Sequence, residues 1–415
     1  MSLVEDIRNG KEYIDKLRNE YIENHIRIQE RDELIAENII EDRDIKGYHG
    51  REILELLQNA DDAYQKSIDN NNKPDCDLNI TILYNNNTLT VTNTGTCFDE
   101  AGIKAIVQGN NSPKRGKYIG SKGTGFRSLL NWANKVEILS GRYNVEFSKE
   151  EAKRCFESIK DKEQIRKQIE RHSNLKIPML AVPINLDKDT YNDITSIVVE
   201  IDPEKSKDDF SVSNQINNID LKILLFLPNT SQIDIRIESH NIIYKREILS
   251  DLSNCVVLKK IIEGKEKIEE SYYLFKKDIP DAIEEDGVMK DVQLAIAVPM
   301  DKNDLLNAHL YSFFPLLDTT SPFYCVFHAS YILGDHRNTV NKNDSNAKIM
   351  KEQINYLIET AVYFINKGQP DIAYSLLIPT TFKSGNWDFA SPFSNYKLKE
   401  YYLEMLLNIL NKIKH

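Results

Sequence analysis

The 415-residue chain lacks the features that would place it in a specialised class. Its five cysteines, Cys76, Cys97, Cys155, Cys255 and Cys325, lie far apart with no Cys-x-x-Cys pair. That spacing argues against a zinc site and against a disulfide framework, and leaves reduced, cytoplasmic thiols as the simplest account. No apolar run approaches the roughly 18 residues of a membrane span. The first residues carry Glu5 and Asp6 rather than a basic stretch leading into an apolar core, so neither a membrane span nor a signal peptide is expected. An excess of basic charge is missing too. The 53 Lys+Arg against 64 Asp+Glu leave a net charge of −11, which in bulk disfavours nucleic acid or an anionic membrane as partner. No internal repeat or low-complexity segment stands out beyond Asn-rich turns. What is present is an ordinary soluble composition, 41% hydrophobic and 28% charged, with length enough for two or three domains with real cores.

Against this background one pair of stretches carries chemistry. Glu55-Leu56-Leu57-Gln58-Asn59-Ala60-Asp61-Asp62-Ala63 is followed about 65 residues later by Gly120-Ser121-Lys122-Gly123-Thr124-Gly125-Phe126. Read as a helix, the first puts Glu55, Asn59 and Asp62 at i, i+4 and i+7 on one face, with Leu57, Ala60 and neighbouring apolar residues packing behind. Such a column suits a magnesium nucleotide. Asn59 offers an amide oxygen to the metal, Glu55 orients or deprotonates water, and Asp62 fixes solvent around the base. Gly120, Gly123 and Gly125 offer backbone N–H groups that phosphate oxygens can approach closely, and a helix opening there would turn its positive end to the phosphates. Between Asn110 and Arg127 stand five cations, Lys114, Arg115, Lys117, Lys122 and Arg127, and no acid. That bias suits a polyphosphate, with 108–117 read as a mobile lid. Each part has a plain alternative: a polar helix face is usually just solvated, a lone Gly-x-x-Gly-x-Gly is weak, and a charge run is usually a solvated loop.

Together, Glu-x-x-x-Asn-x-x-Asp-Ala from Glu55, Asn93-Thr94-Gly95, and Gly-x-x-Gly-x-Gly-Phe from Gly120 resemble the signature boxes of the GHKL ATPases. These form the Bergerat-fold superfamily of gyrase B, heat-shock chaperones, histidine kinases and MutL. The spelling Glu-Leu-Leu-Gln-Asn-Ala-Asp-Asp-Ala with Lys-Gly-Thr-Gly-Phe-Arg-Ser is most similar to the sacsin-type branch. The boxes span 50–130, with looser similarity through Leu224-Leu225-Phe226-Leu227 and the block 309–340. The resemblance implies an α+β fold, a Bergerat two-layer α/β sandwich followed by a second α+β middle or transducer-like domain. It implies ATP as substrate with Mg2+, Asn59 as metal ligand, and nucleotide contacts from Asp62, Gly95, Gly120, Lys122, Gly123, Thr124, Gly125 and Phe126. Where the best-known members have Asp to receive the adenine amino group, this chain has Asn93, a neutral and weaker acceptor. Thr195 or Ser196 is implied at the adenine pocket through water. Arg337 is implied as a second-domain cation reaching the γ-phosphate, although sacsin-type proteins end the matching stretch in Ser-Asn-Arg-Arg and this chain keeps Arg337 alone.

Along the chain, 4–43 is charged and helix-permissive, with Tyr13, Leu17, Tyr21 and Ile28 spaced to bury one stripe. An arm crossing to a partner subunit and a packing leader are both open for it. His25 there is a lone helical histidine, and phosphotransfer from it is disfavoured. The key helix is expected over 51–68, then strands over 78–84 and 89–93 around an Asn85-Asn86-Asn87 turn, and a helix over 99–107. A helix capped by the glycine loop follows over 126–133, then a hairpin over 135–139 and 143–147 around Gly141, a surface helical insertion over 149–172, and a buried strand over 194–201 closing the nucleotide domain. Strands over 233–237, 256–262, 272–275 and 292–298 build the second domain. Helices over 347–367 and 398–413 end the chain, the last with an apolar face for downstream sequence or a second copy. The expected division is a leader 1–45, an ATP-binding domain 46–203, a middle domain 204–345 and a helical segment 346–415.

The function expected is a Mg-dependent ATPase working as a slow, chaperone-like conformational switch. A protein client, a downstream domain or a nucleotide-dependent homodimer would read its ATP and ADP states. A nucleotide-binding scaffold without appreciable hydrolysis is the alternative. A kinase of the histidine type lacks a convincing phosphoacceptor helix.

Overall fold

A computed structural model describes residues 2–27, 33–47, 50–70, 77–108, 125–207, 210–237, 240–249, 254–285, 287–301, 309–321, 323–334, 339–379 and 397–413. Its contacts fall into two compact units: Met1–Ile219 with Asn229–Ile243 and Ile262–Gly264, and Asp220–Pro228 with Tyr244–Ile261 and Lys265–His415. The class is α+β, with helices and mixed strand pairing in each unit.

In the first unit α1 (Leu3–Arg27) and α2 (Glu33–Gly47) precede α3 (Glu52–Asp69). The last forms where periodicity placed the key helix, burying Ile53, Leu56, Leu57, Ala60 and Tyr64 along one stripe. The hairpin of β1 (Leu78–Asn85) and β2 (Thr88–Asn93) turns at Asn86 and Asn87, with φ of 48° and 57°. Asparagine tolerates that left-handed geometry, and two such residues match the twist of the strands. There follow α4 (Glu100–Gln108), β3 (Ala133–Gly141), β4 (Tyr143–Ser148), α5 (Lys149–Ile159), α6 (Glu163–Arg171), β5 (Ile184–Asn185), β6 (Asn192–Ile201), α7 (Val212–Asn217) and β7 (Thr230–Ile237). Strand order is β7-β1-β2-β6-β3-β4-β5. β7 runs parallel to β1 and the other pairs are antiparallel.

Several expectations change here. The segment after the glycine loop is a 3-10 helix, Gly125–Asn131, rather than an α-helix over 126–133. Phe126, Leu129 and Leu130 are buried at a short spacing and β3 takes over at Ala133, so few residues are left for α-helical turns. β6 is not a closing strand but lies between β2 and β3. The charged insertion is more than surface: Ala152, Cys155, Ile159 and Ile165 join Leu34, Ile177, Ala181 and Val182 in a small core of their own. Residues 233–237, expected in the second domain, pair with β1 in the first unit, which also contains the expected leader. α1 is tied down by Arg142, which donates to Asp6 at 3.0 Å, to Glu100 at 2.9 Å and to the Tyr143 hydroxyl at 3.0 Å.

The second unit holds α8 (Ile223–Phe226), most of β8 (His240–Ile248), β9 (Cys255–Ile262), β10 (Lys265–Glu285), β11 (Val288–Pro299), β12 (His309–Ser312), β13 (Phe314–Thr320), β14 (Val326–Ala329), α9 (Asp344–Asn366), α10 (Pro370–Leu377) and α11 (Leu398–Ile413). Its strands run β13-β12-β14-β11-β10-β9. Ile354, Leu357, Phe364, Leu376 and Tyr402 of the helices share one core with Ile296, Leu310 and Phe327 of the strands. The terminal helices therefore pack into the same body as the strands rather than standing as a separate segment. Among the described residues no helix is long and apolar enough to cross a membrane.

Two histidines report on the two units. His25, 8% exposed, has Nδ1 2.8 Å from the Tyr21 carbonyl and Nε2 3.3 Å from Glu37 Oε1, while the Tyr21 hydroxyl donates to Glu37 Oε2 at 2.6 Å. A carbonyl can only accept, so Nδ1 carries hydrogen. Burial opposes the charged ring, but Glu37 and the Tyr21 carbonyl outweigh it and hold the pKa above its usual value. The residue thus clasps α1 to α2. His328 is buried between Phe226 and Phe313, with ring centroids 5.0 and 4.6 Å away, and its Nδ1 accepts from the Phe313 N–H at 3.0 Å. Burial, with help from Lys276, pushes it down to about 3.

The two should respond to pH with opposite signs. The His25 contribution is full below its unfolded value of about 6.5 and fades as pH rises through the raised native value. His25→Gln should therefore flatten a fall in urea midpoint on the alkaline side. His328 costs nothing above about 6.5, and below it the second unit should lose up to about 1.4 kcal/mol per pH unit. His328→Asn, whose Oδ1 can still accept from Phe313, should remove that acid slope in urea unfolding.

Candidate functional site

The polar residues of α3 turn inward rather than to solvent. Glu55 is 2% and Asp62 1% exposed, and Asn59 is half-buried. Glu55 meets Gly125, because a Cβ added there would run into the Glu55 carboxylate, with Cδ only 3.0 Å away. The glycine that ends the motif therefore lies against the first carboxylate of the helix, close enough that a methyl there would displace it. Phe126, next in line, is buried. Gly120, Lys122, Gly123 and Thr124 lie outside the described residues, as do the lid cations Lys114, Arg115 and Lys117, and Arg337. Arg127, counted among the cations for a polyphosphate, is only 6% exposed and donates to the Ile106 carbonyl at 3.2 Å. That bond ties it to α4.

Roughly two helical turns further along α3, the Asn93-Thr94-Gly95 turn docks. A Cβ on Gly95 would stand 2.8 Å from both Ala63 Cβ and the Tyr64 nitrogen. Thr96 donates its N–H to the Ala63 carbonyl at 3.0 Å, and the Thr96 and Ser67 hydroxyls share a 2.6 Å bond. Gly95 donates its N–H to Asn93 Oδ1 at 3.0 Å, closing the turn on itself. The β2–β6 register sets Asn93 opposite Thr195 and Thr92 opposite Ser196. Alternation then separates the two candidates of β6. Thr195 is buried beside the Asn93 position and shares a 2.6 Å bond with the Ser140 hydroxyl, whereas Ser196 pairs with Thr92 at 3.1 Å.

Three residues escaped the sequence reading. Asp61 is a buried anchor: its Oδ1 accepts from the Asn229 N–H at 3.1 Å, the Thr230 N–H at 2.9 Å and the Thr230 hydroxyl at 2.7 Å, and its Oδ2 from Asn229 Nδ2 at 3.0 Å. Burial pushes its pKa up, against the pull of those donors. Glu52 gathers Asn131 at 2.8 Å, Gly50 N–H at 2.9 Å and Gln215 at 2.5 Å, linking α3 to the 3-10 helix and α7. Ser140 accepts from the Phe98 N–H at 3.0 Å as well as meeting Thr195. The doublet Asp61-Asp62 was the only hint available. The donors for Asp61 stand 168 and 169 residues away, too far for any spacing rule.

Among the described residues no group of three or more His, Cys, Asp or Glu is arranged to hold a metal. Asn59, half-buried on α3, carries an amide oxygen of the kind that a phosphate-borne magnesium can take as one of its few protein ligands. Compared with known proteins, the chain matches no family model and no curated protein. The likeness to the GHKL family therefore rests on the motif residues of the sequence alone.

The two glycines make separable tests. Gly95→Ala drives a methyl into the α3 backbone and should cost about 1–3 kcal/mol of stability in urea unfolding. Gly125→Ala meets only the end of a side chain, so it should leave the urea midpoint nearly unchanged while displacing the Glu55 carboxylate.

Proposed function

We propose that the first unit binds a magnesium nucleoside triphosphate and hydrolyses it slowly, as a conformational switch of the GHKL, sacsin-like kind, with the second unit as the transducer-like partner in the chain. The observation that carries this reading is convergence on α3. Residues from the start of the helix, the end of the glycine loop and the Asn93 turn are far apart in sequence, and the contacts of Glu55 with Gly125 and of Gly95 with Ala63 gather them along one helix, with Thr195 of β6 opposite Asn93.

In this reading Glu55 holds the attacking water and takes its proton as the oxygen bonds to the γ-phosphorus. The bond from that phosphorus to the β–γ bridging oxygen breaks, giving ADP and phosphate. Magnesium, held by Asn59 and phosphate oxygens, would supply charge neutralisation. Gly125 leaves room for the phosphates beside Glu55, and Gly120, Lys122, Gly123 and Thr124 are proposed to complete their cradle. Asp62, Asn93, Gly95 and Thr195 are proposed on the base side, and Arg337 as the second-unit cation. An unaltered, buried Glu55 beside Gly125 favours hydrolysis over a purely scaffolding role.

Phosphate release by Glu55→Gln should fall by about 10²–10⁴-fold while binding of a non-hydrolysable triphosphate analogue with magnesium, followed by calorimetry, is retained. Unchanged release would remove Glu55 from the role.

A further inference from the structure

On the nucleotide-binding reading above, we infer that Asn93 reads the base as a hydrogen-bond donor, through Nδ2, and so selects a base edge that presents an acceptor. The expected role, an oxygen receiving the adenine amino group, is the reverse.

The argument starts from the turn. The Gly95 N–H can only donate, so its 3.0 Å bond fixes Oδ1 of Asn93 toward Gly95 and turns Nδ2 the other way. Oδ1 is thereby already engaged by a backbone donor. Asn93 is 6% exposed, and among the described residues Nδ2 has no hydrogen-bond partner. The neighbouring Thr94 hydroxyl is buried and likewise without a partner. Native interiors rarely leave a buried group such as the Thr94 hydroxyl unmet, and leaving it so is costly until something meets it. The hydroxyls that could have competed are committed elsewhere: Thr195 and Ser140 bond each other, and Thr96 bonds Ser67. What the turn still has to give is therefore a donor from Asn93 and a donor or acceptor from Thr94. An aspartate in the same turn would offer the ligand only acceptors.

A purine supplies the matching acceptor in either of two ways, as a ring nitrogen flanked by an amino group or as a 6-oxo oxygen. Calorimetry with the full chain and magnesium separates them, using ATP, 1-deaza-ATP, which lacks that ring nitrogen, and ITP, which carries the oxo group. If the ring nitrogen is read, 1-deaza-ATP should bind wild type about tenfold more weakly than ATP. If the oxo oxygen is read, ITP should bind about tenfold more tightly than ATP. In both cases Asn93→Asp, which keeps the acceptor for Gly95 but loses the donor, should weaken the preferred nucleotide about tenfold and leave inorganic tripolyphosphate unaffected.

The inference falls if Asn93→Asp binds ATP as well as or better than wild type, or if it weakens tripolyphosphate equally. It also falls, without need of a variant, if wild type binds 1-deaza-ATP as well as ATP and ITP worse than both. Those results leave nucleotide binding standing. Failure of wild type to bind any triphosphate overturns the nucleotide reading and this one with it.

Discussion

Contact between α3 and the loops that flank the sheet is limited by two hydrogen atoms where any other residue would have a carbon. At Gly95 the turn after β2 touches the helix backbone itself, and at Gly125 the chain leaving the glycine loop touches a carboxylate. The first contact is rigid on both sides and sets the distance of the Asn93 turn from the helix, which the Thr96–Ala63 and Thr96–Ser67 bonds then hold. The second has a side chain on one side and can yield. The Asn93 end of the candidate site is thus built as a fixed seat, and the end at Gly125 as an adjustable one.

The same helix buries four carboxylates, Glu52, Glu55, Asp61 and Asp62, and their surroundings sort them. Burying a carboxylate costs several kcal/mol unless donors replace the lost water. Glu52 and Asp61 are supplied with such donors from distant parts of the chain, and each fastens α3 to another element. Glu55 lies instead where the glycine loop ends. Two of the four acids on this helix, Glu52 and Asp61, thus fasten it to remote parts of the chain.

Local signals in the sequence were legible and long-range ones were not. Periodicity placed α3 within a residue, Asn86 and Asn87 marked their hairpin, and 398–413 was read as the helix it is. Glu55, Asn93, Gly95, Gly125 and Thr195 were named from the chain alone, and the strand register sets Thr195 rather than Ser196 opposite Asn93. Invisible were Asp61, Glu52 and Ser140, whose partners are remote, and the place of 230–237, which reads as a strand anywhere but pairs with β1 only through tertiary contact. The burial of Arg127 against the Ile106 carbonyl was equally invisible, since a cation beside a glycine loop carries no local sign of it. The 3-10 helix at Gly125–Asn131 was missed for a similar reason, since its helical pattern is overridden by the onset of β3.

Strand β7 joins the sheet beside β1 although some 145 residues separate the end of one from the start of the other. On a ribosome adding roughly 5–20 residues per second, that interval lasts on the order of ten to thirty seconds. Until those residues are made, β1 has no β7 to pair with and Asp61 has none of its four donors. The charge of a solvated Asp61 would oppose premature closure of that region, and arrival of Asn229 and Thr230 supplies at one stroke both the missing strand and the groups that allow the acid to be buried.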